Sequence, residues 1–130
     1  MSFTMAVVAG TVALSAIVGQ TGSTQSESPF FCNLQALSAA ERNEHLQLTR
    51  RLAESILKTM EVADGYAFEV DRHRMSIKDL AAWTEFERRC CPFFDFTLEL
   101  RRENGPLTLR LTGRVGVKEF ILAELPKNPQ

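Results

Sequence analysis

Two alternating apolar runs flank a short turn in this chain, and they constrain its fold more than any other feature. Phe94, Phe96, Leu98 and Leu100 recur at every second position, as do Leu107, Leu109 and Leu111. A period of two marks a strand with one face buried. Between the runs, Asn104-Gly105 is a favoured two-residue hairpin turn. A turn there sets Leu98 opposite Leu111 and Leu100 opposite Leu109 on one face, with Glu99 opposite Arg110 and Thr97 opposite Thr112 on the other. Apolar groups then meet apolar groups, and complementary polar groups meet each other.

Helices supply the rest. Ser38-Ala39-Ala40-Glu41 fits a capping box, so a helix is expected to start there. At 100° per residue, Leu46, Leu48, Leu52, Ala53, Ile56, Leu57 and Met60 share one half of that helix, which should end near Glu61. Arg50, Arg51, Glu54 and Lys58 share the other half. Asp64-Gly65 then turns the chain into a short strand in which Tyr66, Phe68 and Val70 alternate. A second N-terminal box at Ser76 starts a helix that must stop at Cys90 or Cys91, because Pro92 cannot continue it. After the hairpin, Gly113 breaks the strand, and Val115 to Leu125 reads as a last helix stopped by Pro126.

The expected fold class is therefore α+β: a two-layer sandwich in order α-β-α-β-β-α. A three-stranded antiparallel sheet carries the helices on its one apolar face. The 130-residue chain has an ordinary single-domain composition, at 45% hydrophobic and 24% charged. A net charge of -1 gives no electrostatic footprint for nucleic acid.

Residues 30–126 are read as the single domain. Residues 1–29 differ in character. Met5 to Gly19 is almost wholly apolar and small, and a Ser-rich spacer follows. The order resembles a secretory signal peptide and is too short for a comfortable membrane span. No Lys or Arg precedes Arg42, however, and no small-x-small cleavage site stands out. Export to the cell envelope, an uncleaved N-terminal anchor, and a cytoplasmic protein with a misplaced start all remain open, and no other membrane span is expected.

The three cysteines are Cys32, Cys90 and Cys91, an odd number that argues against a pure disulfide framework. On the second helix, Ile77, Leu80, Ala81 and Thr84 make one stripe that Cys91 continues. Trp83 and Phe86 make a flanking stripe that Cys90 continues. Glu87 lies one turn below both thiols, where a partly buried carboxylate needs a partner: a base, a protonated thiol or a metal. His45 projects into the middle of the apolar arc of the first helix, either as a satisfied core residue or as a ligand. Cys32 stands just before that helix. If the two helices pack side by side, Cys32, Cys90, Cys91, Glu87 and His45 meet at one end of the domain.

Three readings of such a cluster differ in chemistry. The thiols could be small core hydrophobes. They could be redox or nucleophilic groups, although a helix C-terminus raises a thiol's pKa and Glu87 pushes the same way. A bridge from Cys32 to Cys90 or to Cys91 is sterically easier than one between neighbours, and would be expected in an exported protein. Third, they could hold a soft cation, which a helix C-terminus favours and which deprotonates the thiols itself. Three sulfurs suit Zn(II), Cu(I), Hg(II) or As(III), with His45 or Glu87 as a further ligand. Adjacent helical cysteines diverge, so both can reach one ion only if the helix unwinds at Cys91.

The segments "FCNL", "ERRCCPFFDFTLEL" and "GPLTLRLTGRVGVKEFILAEL" resemble a group of small bacterial proteins. Their pattern is a Cys, a small polar residue and Leu, then E-x-x-C-C-x-F-x-F-x-[LI], then an apolar strand and G-x-x-G-x-x-x-[FL]. Some of that group resemble neighbours or fused partners of mercury-responsive regulators. The likeness spans residues 31–125 and maps its motif onto Cys32, Glu87, Cys90 and Cys91, with Phe94 and Phe96 as core aromatics. It implies metal–thiol chemistry in a heavy-metal response. The expected protein is thus a small metal-binding protein without turnover. The alternatives are a thiol-dependent oxidoreductase or detoxifying enzyme, and an interaction module with structural cysteines.

Overall fold

The computed structural model describes residues 27–124. The expected leader lies outside the described residues except for its last three positions, and so does the expected domain end at 126. A single 3-10 turn, Leu34–Ala36, precedes helix α1, Ala39–Ser55. Strands β1, Ile56–Val62, and β2, Gly65–Val70, lead to helix α2, Ile77–Cys90. Strands β3, Asp95–Leu100, and β4, Leu107–Thr112, are followed by helix α3, Val117–Glu124. The four strands form one antiparallel sheet in the order β1-β2-β4-β3.

The α+β class holds, the strand count is corrected from three to four, and the order is corrected from α-β-α-β-β-α to α-β-β-α-β-β-α. The first helix was expected to reach Glu61 and instead ends at Ser55. Ser55 is fully buried, its hydroxyl donates to the Arg51 carbonyl, and its own carbonyl accepts from the Asp71 amide at 2.8 Å, a strand contact in place of the next helical turn. A bulge between Ile56 and Lys58 hides β1 from a periodicity reading. Ile56 pairs with Val70 on the core face, but beyond the bulge Thr59 pairs with Phe68. Met60 and Val62 therefore lie on the opposite face, beside Ala67 and Gly65. No period of two survives across the bulge, while a period of 3.6 fits by coincidence.

The β3–β4 hairpin forms in a register two residues away from the expected one. Leu98 faces Leu109 and Leu100 faces Leu107, with Thr97 opposite Arg110 and Glu99 opposite Thr108. The cause is Pro106. A two-residue turn at Asn104-Gly105 would need the residue at 106 to donate its amide to Glu103, and proline has none. The chain instead loops from Arg101 to Pro106, with Glu103 and Asn104 both at positive φ, 59° and 55°. An even shift leaves every side chain on its expected face.

Phe68 and Val70 of β2 and Leu107, Leu109 and Leu111 of β4 form one buried cluster with Leu48 and Leu52 of α1, Leu80 and Trp83 of α2, and Val117 and Ile121 of α3. Both predicted N-caps are present, but only the first is a full box; the Asp79 carboxylate pairs with Arg51 instead of returning to Ser76. Ser38 and Glu41 cap α1 reciprocally, and the Ser76 hydroxyl accepts from the Asp79 amide. The last helix starts at Val117 rather than at the fully exposed Val115. Gly116 makes that entry with φ of 101°, and a Cβ there would come 2.7 Å from the ring of Phe30.

Candidate thiol and metal site

Three local features bring the cysteines together. The first is the end of α2. Cys91 is its C-cap, with φ of -125° and ψ of 69°, so the chain leaves helical geometry one residue before Pro92. The Cys91 amide still reaches the Glu87 carbonyl at 2.7 Å. This is the unwinding that lets neighbouring cysteines converge, and the Cys90 and Cys91 sulfurs stand 3.9 Å apart. Both residues are fully buried.

The second is the docking of the segment before α1. The Asn33 amide donates to the Cys90 carbonyl at 2.8 Å. Arg89 donates to both carboxylate oxygens of Glu41, at 2.9 and 3.1 Å, and to the Ala36 carbonyl at 3.0 Å. That paired guanidinium and the helix cap hold the Glu41 carboxyl well below its ordinary range, at a pKa of about 2. On the other side the Arg114 guanidinium lies 4.0 Å over the Phe30 ring and donates to the Ser28 carbonyl. Pinned this way, Cys32 meets Cys91 and forms a disulfide with it, across a sequence separation of 59. Of the two bridges left open by sequence, the structure selects Cys32–Cys91, and Cys90 stays a free, buried thiol.

The third is the side-by-side packing of α1 and α2. The Trp83 indole donates to the Thr49 hydroxyl at 3.1 Å, and that hydroxyl donates to the His45 carbonyl. The His45 ring stacks beside Trp83 and meets Phe86 edge-on. Its Nε2 lies 2.6 Å from Glu87 Oε2, with side-chain exposures of only 12% and 13%. The partly buried carboxylate that needed a partner thus has one, from the other helix.

All five expected residues converge. Their ligand atoms form two overlapping groups that could hold a metal ion, Cys32–Glu87–Cys91 and His45–Glu87–Cys90, with every ligand atom in a group within 4.8 Å of the others. Glu87 belongs to both. The Cys90–Cys91 separation suits two thiolates on one ion with bonds of about 2.3 Å. The Cys32–Cys91 pair is in its oxidised form, so a three-thiolate donor set exists only after reduction.

Burial, and then the nearby Glu87 charge, push the Cys90 thiol up to a pKa of about 11. A resting thiolate is therefore scarce at neutral pH, which weakens Cys90 as a nucleophile. A bound cation reverses the balance, since it stabilises the same thiolate that burial disfavours.

Sequence reasoning did not find the cavity next to these groups. A pocket of about 420 Å³ opens between α1, α2, α3 and the segment before α1. Cys32, Cys90, His45 and Glu87 line one part of it, and the rest of its wall is mainly apolar. The available signal was the nine phenylalanines, four of which (Phe30, Phe31, Phe94 and Phe120) reach the wall. Their spread over separate segments gave no pattern to read. Among the described residues no helix is long and apolar enough to cross a membrane. No family model, curated protein or solved structure matches the chain.

Proposed function

We propose that this protein binds a soft metal ion through reduced Cys32, Cys90 and Cys91, with Glu87 and His45 as proton acceptors or a fourth ligand, in heavy-metal handling. The observation that carries this reading is the pair of ligand groups at one helix end, Cys32–Glu87–Cys91 and His45–Glu87–Cys90, which share Glu87 and place Cys90 3.9 Å from Cys91. Thiolates select Zn(II), Cu(I), Hg(II) and As(III) over hard cations. The negative end of α2 and the Glu87 carboxylate both favour a cation. The resemblance of the cysteine motif to proteins beside mercury-responsive regulators points the same way. Opening the site takes two electrons and two protons, supplied by a dithiol that is itself oxidised to a disulfide.

The Cys32–Cys91 disulfide also favours a second reading, thiol–disulfide exchange, because Cys90 sits 3.9 Å from one of its sulfurs. That chemistry belongs to an exported chain in an oxidising compartment, whereas the metal site belongs where thiols stay reduced. The high pKa of Cys90 slows its attack on the disulfide, whereas a soft cation binds by displacing the thiol proton, so its binding should strengthen as pH rises.

Titrating the phosphine-reduced protein with Hg(II), Cu(I) and Zn(II) separates the two. One ion should bind per chain, and the oxidised protein should bind at least a hundredfold more weakly. The Cys90→Ser/Cys91→Ser double variant, checked for folding by circular dichroism, should lose binding to the same degree. If that variant binds as tightly as the parent, the metal reading is wrong.

A further inference from the structure

The cavity is out of proportion to a bare ion. About 420 Å³ adjoins the thiols, while roughly 150 Å³ lined by aliphatic and aromatic side chains already accepts a benzene ring. Phe30, Leu52, Ile56, Trp83, Phe94 and Phe120 contribute apolar wall. The groups able to bind a metal, Cys32, Cys90, His45 and Glu87, share one region of the lining. A ligand that satisfies both regions has a soft, thiol-reactive centre and an apolar body of ring size.

We propose, building on the metal-binding reading above, that the preferred ligand is an organometal or organometalloid carrying one aryl group. Its soft centre bonds to two of the three thiols, and its ring occupies the cavity against Trp83 and Phe120. For a hydrated arylarsenic(III) oxide the chemistry balances without any oxidant or reductant. Two As–OH bonds break and two As–S bonds form. Each thiol proton leaves with a hydroxide as water, and arsenic stays trivalent. The aryl carbon fills the coordination position that a third thiolate takes when the ion is inorganic. The Glu87–His45 pair, at 2.6 Å, lies beside the thiols, where it can relay each thiol proton to the departing hydroxide.

Trp83 is the only tryptophan and lines the cavity, so its emission reports a ring placed there. The reduced full chain is titrated with phenylarsine oxide, methylarsonous acid and arsenite, with a small-molecule dithiol as reference. The protein should prefer phenyl over methyl at least tenfold more than the dithiol does, with Trp83 emission changing only for the phenyl compound. Ala53→Phe, which narrows the cavity at a wall position outside both ligand groups, should bring that preference to within about twofold of the dithiol's and leave arsenite binding unchanged. Proton NMR of the unmutated complex supplies a readout independent of the variant: nuclear Overhauser contacts from the phenyl protons to Trp83 and Ile56 are expected. Equal phenyl and methyl preference, a preference that survives Ala53→Phe, or absence of those contacts overturns the aryl proposal. In each case arsenite and Hg(II) binding would leave the metal-binding reading standing. Failure of every arsenical and of Hg(II) to bind would instead overturn the reading beneath it.

Discussion

Reducing the Cys32–Cys91 disulfide is expected to lower the unfolding free energy by about 4 kcal/mol, by the loop-closure relation for a cross-link of this span. The bridge joins positions 59 apart and so restrains a large part of the unfolded chain. Folded domains of this size have only about 5–15 kcal/mol in hand. Urea melts with and without a phosphine reductant measure the loss directly, and coincident midpoints would contradict it. The same logic extends to the site. An ion held by Cys32 and Cys91 cross-links the same two positions, so Hg(II) added to the reduced protein should restore much of the lost stability. The restored part should vanish in Cys32→Ser, in which neither bridge can form.

Phe68→Ala is expected to cost about 3–5 kcal/mol, the usual range for removing a buried aromatic side chain. Phe68 is 1% exposed and lies on β2, an interior strand paired on both sides, where it packs in the cluster shared by all three helices. Leu100→Ala is the control. Leu100 lies on edge strand β3 at 51% exposure, and its truncation should cost well under half as much. Equilibrium denaturation of the two variants tests the core assignment, and comparable losses would show that the sheet does not bury its face as described.

The parts of the fold that were legible in sequence are those carried by local chemistry. Ser38 with Glu41, and Ser76 with Asp79, marked both helix starts through the hydroxyls that satisfy free amides. Pro92 marked the end of α2 and, with it, the unwinding at Cys91. The faces of β3 and β4 followed from strict alternation. What failed depended on non-local pairing. Strand β1 carries a bulge that breaks its alternation, and only its partner β2 specifies it as a strand. The hairpin register turned on a proline amide that a turn-dipeptide rule does not consider.

The site divides in the same way. Glu87 below Cys90 and Cys91 is a property of one helix and was visible as such. The inward position of His45 was visible too, but its contact with Glu87 required α1 and α2 to cross at one particular height. The choice of Cys91 over Cys90 as the partner of Cys32 follows from the direction each sulfur takes where the helix unwinds, and residue spacing carries no such direction. The apolar cavity is built by side chains from several elements and belongs to none of them.

In the proposed metal-bound state the reduced cysteines hold one soft ion together. X-ray absorption at the zinc edge of the reduced, Zn(II)-loaded protein tests it most directly, because zinc–sulfur bonds near 2.3 Å are resolved from zinc–nitrogen or zinc–oxygen bonds near 2.0–2.1 Å. The expected spectrum shows about three sulfur neighbours at about 2.3 Å and one lighter atom from His45, Glu87 or water. A shell of nitrogen and oxygen alone, or a single sulfur, would contradict the account.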